Sequence, residues 1–366
     1  MTDNREIAVE LRNVCKNYGD VQALRSVDLS IYSGEYFVLL GPSGGGKTTL
    51  LRAIGGFIRP SAGQILLHGR DVTDLPPEKR STSMVFQSYA LFPHMTVAKN
   101  VGYGLRIRKM PKPEIAIRVE QMLTQVGLVG YDERMPWELS GGQQQRVQLA
   151  RALVLEANII LLDEPLAALD ANLRKDMCYE LKHLQEKVGI TFIHVTHNQD
   201  EAMTVADRIA IIADGVLVEH GDAQSIYRNP TTRFTADFIG ENNIFDGEIS
   251  EMANGNVSLV GSFGTISVNT RGSDTLVGAS ASVSVRSECM MIVPAGQTDD
   301  SSIQKVSARY HETIYLGLTT RHMVTLEDGR ELMVRFISDA EDSFSMEKGQ
   351  EVLIAWRQED GRLHLS

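Results

Sequence analysis

The sequence predicts an α/β cassette that begins with an antiparallel β part, carries a helical subdomain, and is followed by an all-β, OB-like domain. Three observations predict this. Residues 36–40 form a short apolar run that leads through Gly41-Pro42-Ser43-Gly44-Gly45-Gly46-Lys47-Thr48 into a helical pattern over 49–54, which reads as buried strand, glycine turn and helix. Further apolar runs at 83–86, 159–162 and 191–196 are separated by helical stretches, as in a sheet covered on both faces. From residue 241 onward the pattern changes to short segments alternating at period two, with turns at Asn254-Gly255, Asp328-Gly329 and Asp360-Gly361. The domain boundary is therefore expected at 240/241, giving a cassette over 1–240 and a β-rich domain over 241–366.

Taken in order, residues 7–11 and 23–31 alternate apolar and polar side chains and read as half-buried antiparallel strands, separated by a turn at Lys16-Asn17-Tyr18-Gly19-Asp20. Tyr18 is open to two readings, a surface aromatic or a platform on which a base stacks. A strand at 63–69 and a polar segment with Pro76-Pro77 lead to the run 83–86. That run ends in Gln87, a neutral polar side chain at the carboxyl end of a strand, where α/β sheets bind ligands. Ile115, Val119, Met122, Leu123 and Val126 then recur at helical spacing, marking a helical subdomain over about 88–150. Its leading stretch, Tyr89-Ala90-Leu91-Phe92-Pro93-His94-Met95, reads either as core or as a surface for another protein's helix. Leu139-Ser140-Gly141-Gly142-Gln143 is a second glycine turn, with Ser140 capping a helix that carries Val147, Ala150 and Val154 on one face. A helix around 171–187, the strand 191–196, a hairpin about Asp214-Gly215 and a helix near 222–239 complete the cassette. In the tail, 257–260, 265–268, 281–285, 323–326 and 331–336 read as strands and 294–302 as an exposed loop.

A chain of 366 residues is long for one core, in keeping with two domains. No run approaches the roughly 18 apolar residues of a membrane span, and Met1-Thr2-Asp3-Asn4-Arg5-Glu6 has no apolar signal core, so a cytoplasmic protein is expected. Cys15, Cys178 and Cys289 are odd in number and far apart in sequence, which argues against a disulfide framework or a cysteine metal site. The net charge of −11 is uneven: from residue 241 onward 10 Lys and Arg stand against 19 Asp and Glu. An acidic tail argues against nucleic acid as its partner, because phosphate backbones are bound by basic surfaces.

Two segments carry chemistry. The spacing G-x-x-x-x-G-K-[ST] at 41–48 is that of a P-loop, in which glycines let backbone N–H groups wrap an anion. The helix N-terminus adds its partial positive charge and Lys47 a full one, while Thr48 places a hydroxyl on Mg²⁺. A mere flexible turn has no use for Lys47 and Thr48. The second segment is Ile159-Ile160-Leu161-Leu162, which ends in Asp163-Glu164-Pro165. Two carboxylates at the mouth of a buried strand are costly unless a cation or proton transfer compensates. Beside a P-loop, Asp163 reads as the Mg²⁺-linked acid and Glu164 as the base that orients or deprotonates water. His197 stands at another strand end; a histidine there can be merely hydrogen-bonded, but its place beside Gln87 and the acid pair favours a role in the chemistry.

In this order and spacing, the motifs resemble the ATP-binding subunits of ABC transporters over essentially the whole length. Residues 41–48 match the Walker A motif, Gln87 the Q-loop and 139–143 the LSGGQ signature. Residues 159–163 match the Walker B strand, Glu164 the catalytic glutamate, 167–170 the D-loop and His197 the switch histidine. The resemblance implies a P-loop ATPase cassette that uses ATP and Mg²⁺. Tyr18, Gly41, Pro42, Ser43, Gly44, Gly45, Gly46, Lys47, Thr48, Thr49, Gln87, Ser140, Gly141, Gly142, Gln143 and Asp163 would bind nucleotide. Thr48, Gln87 and Asp163 would serve the metal, and Lys47, Glu164 and His197 the catalysis. It further implies a homodimer paired head to tail, with the signature of one copy closing the P-loop site of the other, on the cytoplasmic face of the inner membrane under two permease subunits fed by a substrate-binding protein. On that reading the stretch 89–95 is the docking surface for the membrane partners.

The tail is similar to the regulatory, TOBE-like domain of importer ATPases for maltose, sulfate, iron and polyamines, through Val285-Arg286-Ser287-Glu288 and Tyr315-Leu316-Gly317. Residues 86–97 and 238–243 look most like spermidine/putrescine importers. Iron(III), sulfate, phosphonate or a sugar is the alternative cargo. A soluble ABC ATPase of DNA repair or translation and an exporter ATPase are the other classes, disfavoured by the single cassette and by the tail. Four positions depart from the family pattern: Gly45 in place of cysteine, Ala167 in place of the D-loop serine, Asn198 in place of aspartate after the histidine, and Ser287 in place of the proline of the tail's Arg-Pro-Glu turn. None removes a catalytic group.

Overall fold

Two compact units, Met1–Gln224 and Ser225–Ser366, divide the chain. The computed structural model describes residues 5–87, 91–253, 255–270, 276–293, 302–338 and 346–365. Residues 89 and 90 of the expected docking stretch, Asn254 of one expected turn, and 294–301 of the expected loop lie outside the described residues.

In the first unit, β1 (Ile7–Tyr18) and β2 (Val21–Tyr32) pair antiparallel, and their alternation, shifted in register between Leu11 and Val14 where Asn13 and Ser26 have positive φ, puts Val9, Leu11, Val14, Leu24, Val27 and Leu29 inside. The strands run further than their apolar alternation, so Tyr18 ends β1 instead of sitting in a broad turn. Next come β3 (Tyr36–Leu40), α1 (Lys47–Ile54), β4 (Ala62–Leu67), β5 (Arg70–Asp71) and β6 (Thr82–Val85). Four helices follow: α2 (Val97–Val101), α3 (Tyr103–Ile107), α4 (Lys112–Gln125) and α5 (Gly141–Leu153). The chain returns through β7 (Ile159–Asp163), α6 (Ala171–Val188), β8 (Thr191–Thr196), α7 (Gln199–Val205), β9 (Arg208–Ala213) and β10 (Val216–Asp222).

These strands make a four-stranded sheet of order β2-β1-β4-β5 and a six-stranded sheet of order β10-β9-β3-β8-β7-β6. In the second, β9, β3, β8, β7 and β6 are parallel, and β10 returns antiparallel through Asp214-Gly215, both at positive φ, the backbone that a tight hairpin needs. β3, β7 and β8 are buried at every position, which is why they read as unbroken apolar runs. One core joins the two sheets through α1, with Val9, Leu11, Leu50, Ile54 and Leu161 among its members. A separate core of Val97, Val101, Val119, Leu123, Val147 and Ala150 holds the helical subdomain, so α2 to α5 form a packed body of their own. Phe92 packs against it, its ring 4.5 Å from that of Tyr103 and its amide donating to Asn100 Oδ1 at 2.8 Å.

The second unit opens with two short helices, α8 (Ala223–Arg228), which straddles the boundary, and α9 (Arg233–Phe238), where one helix was expected. Pro230 lies between them, and its ring and missing N–H interrupt the helix. α9 packs on the β-structure that follows, which places the start of the compact unit at Ser225, ahead of the expected 241. The strands are β11 (Asn242–Ala253), β12 (Asn256–Gly261), β13 (Gly264–Asn269), β14 (Ser280–Arg286), β15 (Met291–Val293), β16 (Ile303–Tyr315), β17 (Thr319–Thr325), β18 (Glu331–Ile337), β19 (Glu351–Arg357) and β20 (Arg362–Leu365). They form two five-stranded antiparallel sheets, β13-β12-β11-β14-β20 and β15-β19-β16-β17-β18, around one core in which Phe245 stacks on Trp356. The all-β expectation holds.

Candidate active site

The carboxyl ends of β3, β8, β7 and β6, four adjacent strands, place the polar groups that the sequence singles out. β3 opens into the glycine loop. At Gly41, with φ 154°, an added Cβ would lie 2.0 Å from the Ile212 carbonyl oxygen; at Gly46, with φ 103°, it would lie 2.6 Å from that of Ala23. Only glycine allows the loop to fold this close to its neighbours. Gly46 is also the N-cap of α1 and offers no side-chain cap, so the first amides of the helix have no partner within it. Lys47 folds back across the loop, donating to Gly41 O at 2.8 Å and Pro42 O at 2.7 Å. Burial pulls the Lys47 ammonium below its ordinary pKa, while the charges of Glu164 and Asp163 act the other way.

At the end of β7, Asp163 accepts from Thr48 Oγ1 at 3.0 Å, and its other oxygen lies 3.3 Å from Arg52 Nη2. The next residue, Glu164, has φ 46°, a strained conformation for a non-glycine residue, and is held there by its own N–H on Val195 O at 3.0 Å. Its carboxylate is gripped from both sides, by Gln87 Nε2 at 3.0 Å and by His197 Nδ1 at 3.3 Å. The structure thus joins Thr48 to Asp163, and Gln87 to Glu164 to His197. Thr48, Asp163 and Gln87 offer hydroxyl, carboxylate and amide oxygens, the donor chemistry that suits a hard divalent cation such as Mg²⁺. Among the described residues no group of three or more His, Cys, Asp or Glu could hold a metal, so such an ion would draw its remaining ligands from phosphate and water.

The signature residues stand apart from this group. Ser140 caps α5 in a closed capping box, its Oγ accepting from Gln143 N at 3.4 Å while Gln143 Oε1 accepts from Ser140 N at 3.0 Å. Gln143 Nε2 donates to Tyr131 OH at 3.3 Å, and none of these partners belongs to the glycine loop. Tyr18 is half exposed with Lys16 Nζ 5.0 Å from its ring centre. Sequence reasoning missed Arg52, although it lies one helical turn beyond Thr48. It also missed Arg174 and Glu201, although Asn198 and Glu201 have the spacing of an N-cap and its third helical residue.

A glycine loop at the end of a central parallel strand, an acid pair on the strand two places away and a polar clamp on that acid define a P-loop ATPase cassette. A model of the ABC transporter family matches residues 24–167, and one of the TOBE domain matches 283–363. The chain is similar to the spermidine/putrescine import ATP-binding protein of Rubrobacter xylanophilus, 44% identical over 97% of this chain and 93% of that protein. It is also similar to the protein of the same name from Roseobacter denitrificans, 45% identical over 95% of each. Among solved structures it resembles a component of an ABC transporter complex from Clostridium perfringens, with TM-score 0.57 and 29% identity over 60% of this chain and 90% of that one. A second, at TM-score 0.52 and 34% identity over 59% of this chain and 98% of the other, is an ATP-binding cassette described as dimeric and post-hydrolysis, bound to ADP and Pi. The chain belongs to the ATP-binding proteins of the ABC transporter family. No helix among the described residues is long and apolar enough to cross a membrane.

Proposed function

We propose that the chain is the ATP-hydrolysing subunit of a polyamine importer. It works as a head-to-tail homodimer on the cytoplasmic face of the membrane, beneath two permease subunits to which a substrate-binding protein delivers spermidine or putrescine. Its similarity to spermidine/putrescine import ATP-binding proteins supports the cargo. The observation that carries the chemistry is the clamped carboxylate of Glu164 beside the glycine loop.

Lys47 and the uncapped amides of α1 hold the β- and γ-phosphates. Thr48, Asp163 and Gln87 would hold Mg²⁺, which would supply positive charge against those phosphates. Glu164 orients the attacking water and takes its proton, and His197 keeps that carboxylate aimed. Ser140 to Gln143 of the second copy close the site, and Tyr18 offers a face to the base. Glu164→Gln keeps the shape and removes the base: steady-state hydrolysis is expected to fall by about a hundredfold or more while ATP still binds and the dimer is trapped. Ordinary turnover in that variant removes Glu164 from this role. For the cargo, ATPase stimulation of the reconstituted transporter by spermidine or putrescine, and not by iron(III), sulfate or a sugar, is the expected result.

A further inference from the structure

The switch histidine and the D-loop both rest on a pair of residues that the reaction itself does not use. Arg174, in the first turn of α6, donates from Nη2 to Leu169 O in the D-loop at 2.8 Å, and its Nε lies 3.4 Å from Glu201 Oε1. Glu201, in the first turn of α7, is buried. Its Oε2 accepts from Thr196 Oγ1 at 2.7 Å, and its N–H donates to Asn198 Oδ1 at 3.1 Å. Thr196 Oγ1 in turn accepts from Asn198 N at 3.0 Å. Of the two neighbours of His197, Thr196 is therefore tied to the Glu201 carboxylate directly, and Asn198 through the Thr196 hydroxyl and the Glu201 N–H, while the arginine paired with that carboxylate also holds the D-loop. Arg174 and Glu201 also border the small cavity that Glu164, Ala167 and His197 line.

We propose that Arg174 and Glu201 are positioning residues that hold the D-loop and His197 at a fixed spacing about Glu164. The inference rests on the reading of Glu164 and His197 given above. A buried carboxylate is retained at a cost unless it is paired and hydrogen-bonded. Glu201 has Thr196 and Arg174 as partners. His194, whose Nε2 is 3.8 Å away, adds no dependable charge: burial pushes its imidazole down to about 3, and Nδ1 is engaged with Tyr36 OH at 3.0 Å. Arg174 is thus the permanent counter-charge, and its hydrogen bond to Leu169 O carries the position of Glu201 to the D-loop. Ala167 has no hydroxyl with which to hold that loop, which makes the grip on Leu169 O more consequential in this chain.

The test uses the full-length chain with Arg174→Met, Glu201→Gln and the double variant. It reads kcat, KM, the affinity for a fluorescent ATP analogue, and the melting temperature. Each single variant is expected to lower kcat about tenfold with affinity kept within about twofold, and the double variant to be no slower than the slower single one, as for residues acting through one contact. Unchanged kcat in Arg174→Met, or parallel falls of kcat, affinity and melting temperature, overturns the proposal in favour of no role or a merely structural one. If Glu201→Gln does not fold, Arg174→Met, whose side chain is partly exposed, decides alone. Glu164→Gln is the control: turnover surviving there overturns the reading of the site itself, while its loss beside a normal Arg174→Met overturns only the positioning role.

Discussion

Two helices of the cassette begin at glycine turns, and they begin differently. α1 starts from Gly46, in a left-handed conformation without a side-chain cap, and has Lys47 folded over the loop. α5 starts from Ser140, whose box with Gln143 uses two of the donors that a helix end would otherwise present. The first end is built to take an anion, whereas the second has two of its donors engaged within its own chain, at Ser140 and Gln143. A helix N-terminus is therefore not by itself a phosphate site; what distinguishes the two is how many of its donors the chain itself already engages. The signature end fits the role of a cover that completes a site held elsewhere.

The sharpest way to break this contrast is to remove the cation from the first end. Lys47→Ala is expected to weaken ATP binding and to lower hydrolysis by about a hundredfold or more, because no other group on the loop supplies a full charge. A titration with labelled nucleotide checks it, and undiminished affinity would remove Lys47 from the cradle. A smaller effect separates the glycines. Gly46→Ala puts a Cβ 2.6 Å from a backbone oxygen at positive φ and is expected to cost about 1–3 kcal/mol in urea unfolding. At Gly142 the nearest atom to a new Cβ is Leu173 Cδ1 at 3.2 Å, a side chain that can give. Gly142→Ala is accordingly expected to stay within about 1 kcal/mol of the parent. The smallest effect is that of the cap itself: Ser140→Ala is expected to cost about 1 kcal/mol of stability and to leave nucleotide affinity of the isolated chain unchanged.

The cassette was legible where one physical cause left one local pattern. Strands buried on both faces had to be continuous apolar runs, as at 159–162, and a glycine loop that approaches a neighbouring backbone had to be glycine at 41 and 46. Gln87, Asp163, Glu164 and His197 could be placed together because each stands at the carboxyl end of a strand or just beyond it, and Thr48 because the glycine loop leaving β3 leads to it. What stayed hidden depends on partners distant in sequence. Arg174 and Glu201 meet only because α6 and α7 pack together, and their separation leaves no periodic trace. The boundary at 224/225 was hidden because α9 reads as one more helix of the cassette until the sheet on which it packs is seen. The break at Pro230 was written in the sequence, within the single helix expected near 222–239.

If the two helix ends complete each other across a dimer, each active site takes its P-loop from one copy and its signature from the other. Mixing two inactive chains, Lys47→Ala and Ser140→Arg, tests this most directly. A mixed dimer would hold one site with both defects and one with neither, so ATPase activity is expected to rise on mixing to about a quarter of the parent's, the share set by random pairing. Activity no higher than the sum of the two variants alone would mean that each chain hydrolyses ATP with its own residues, and would contradict the account.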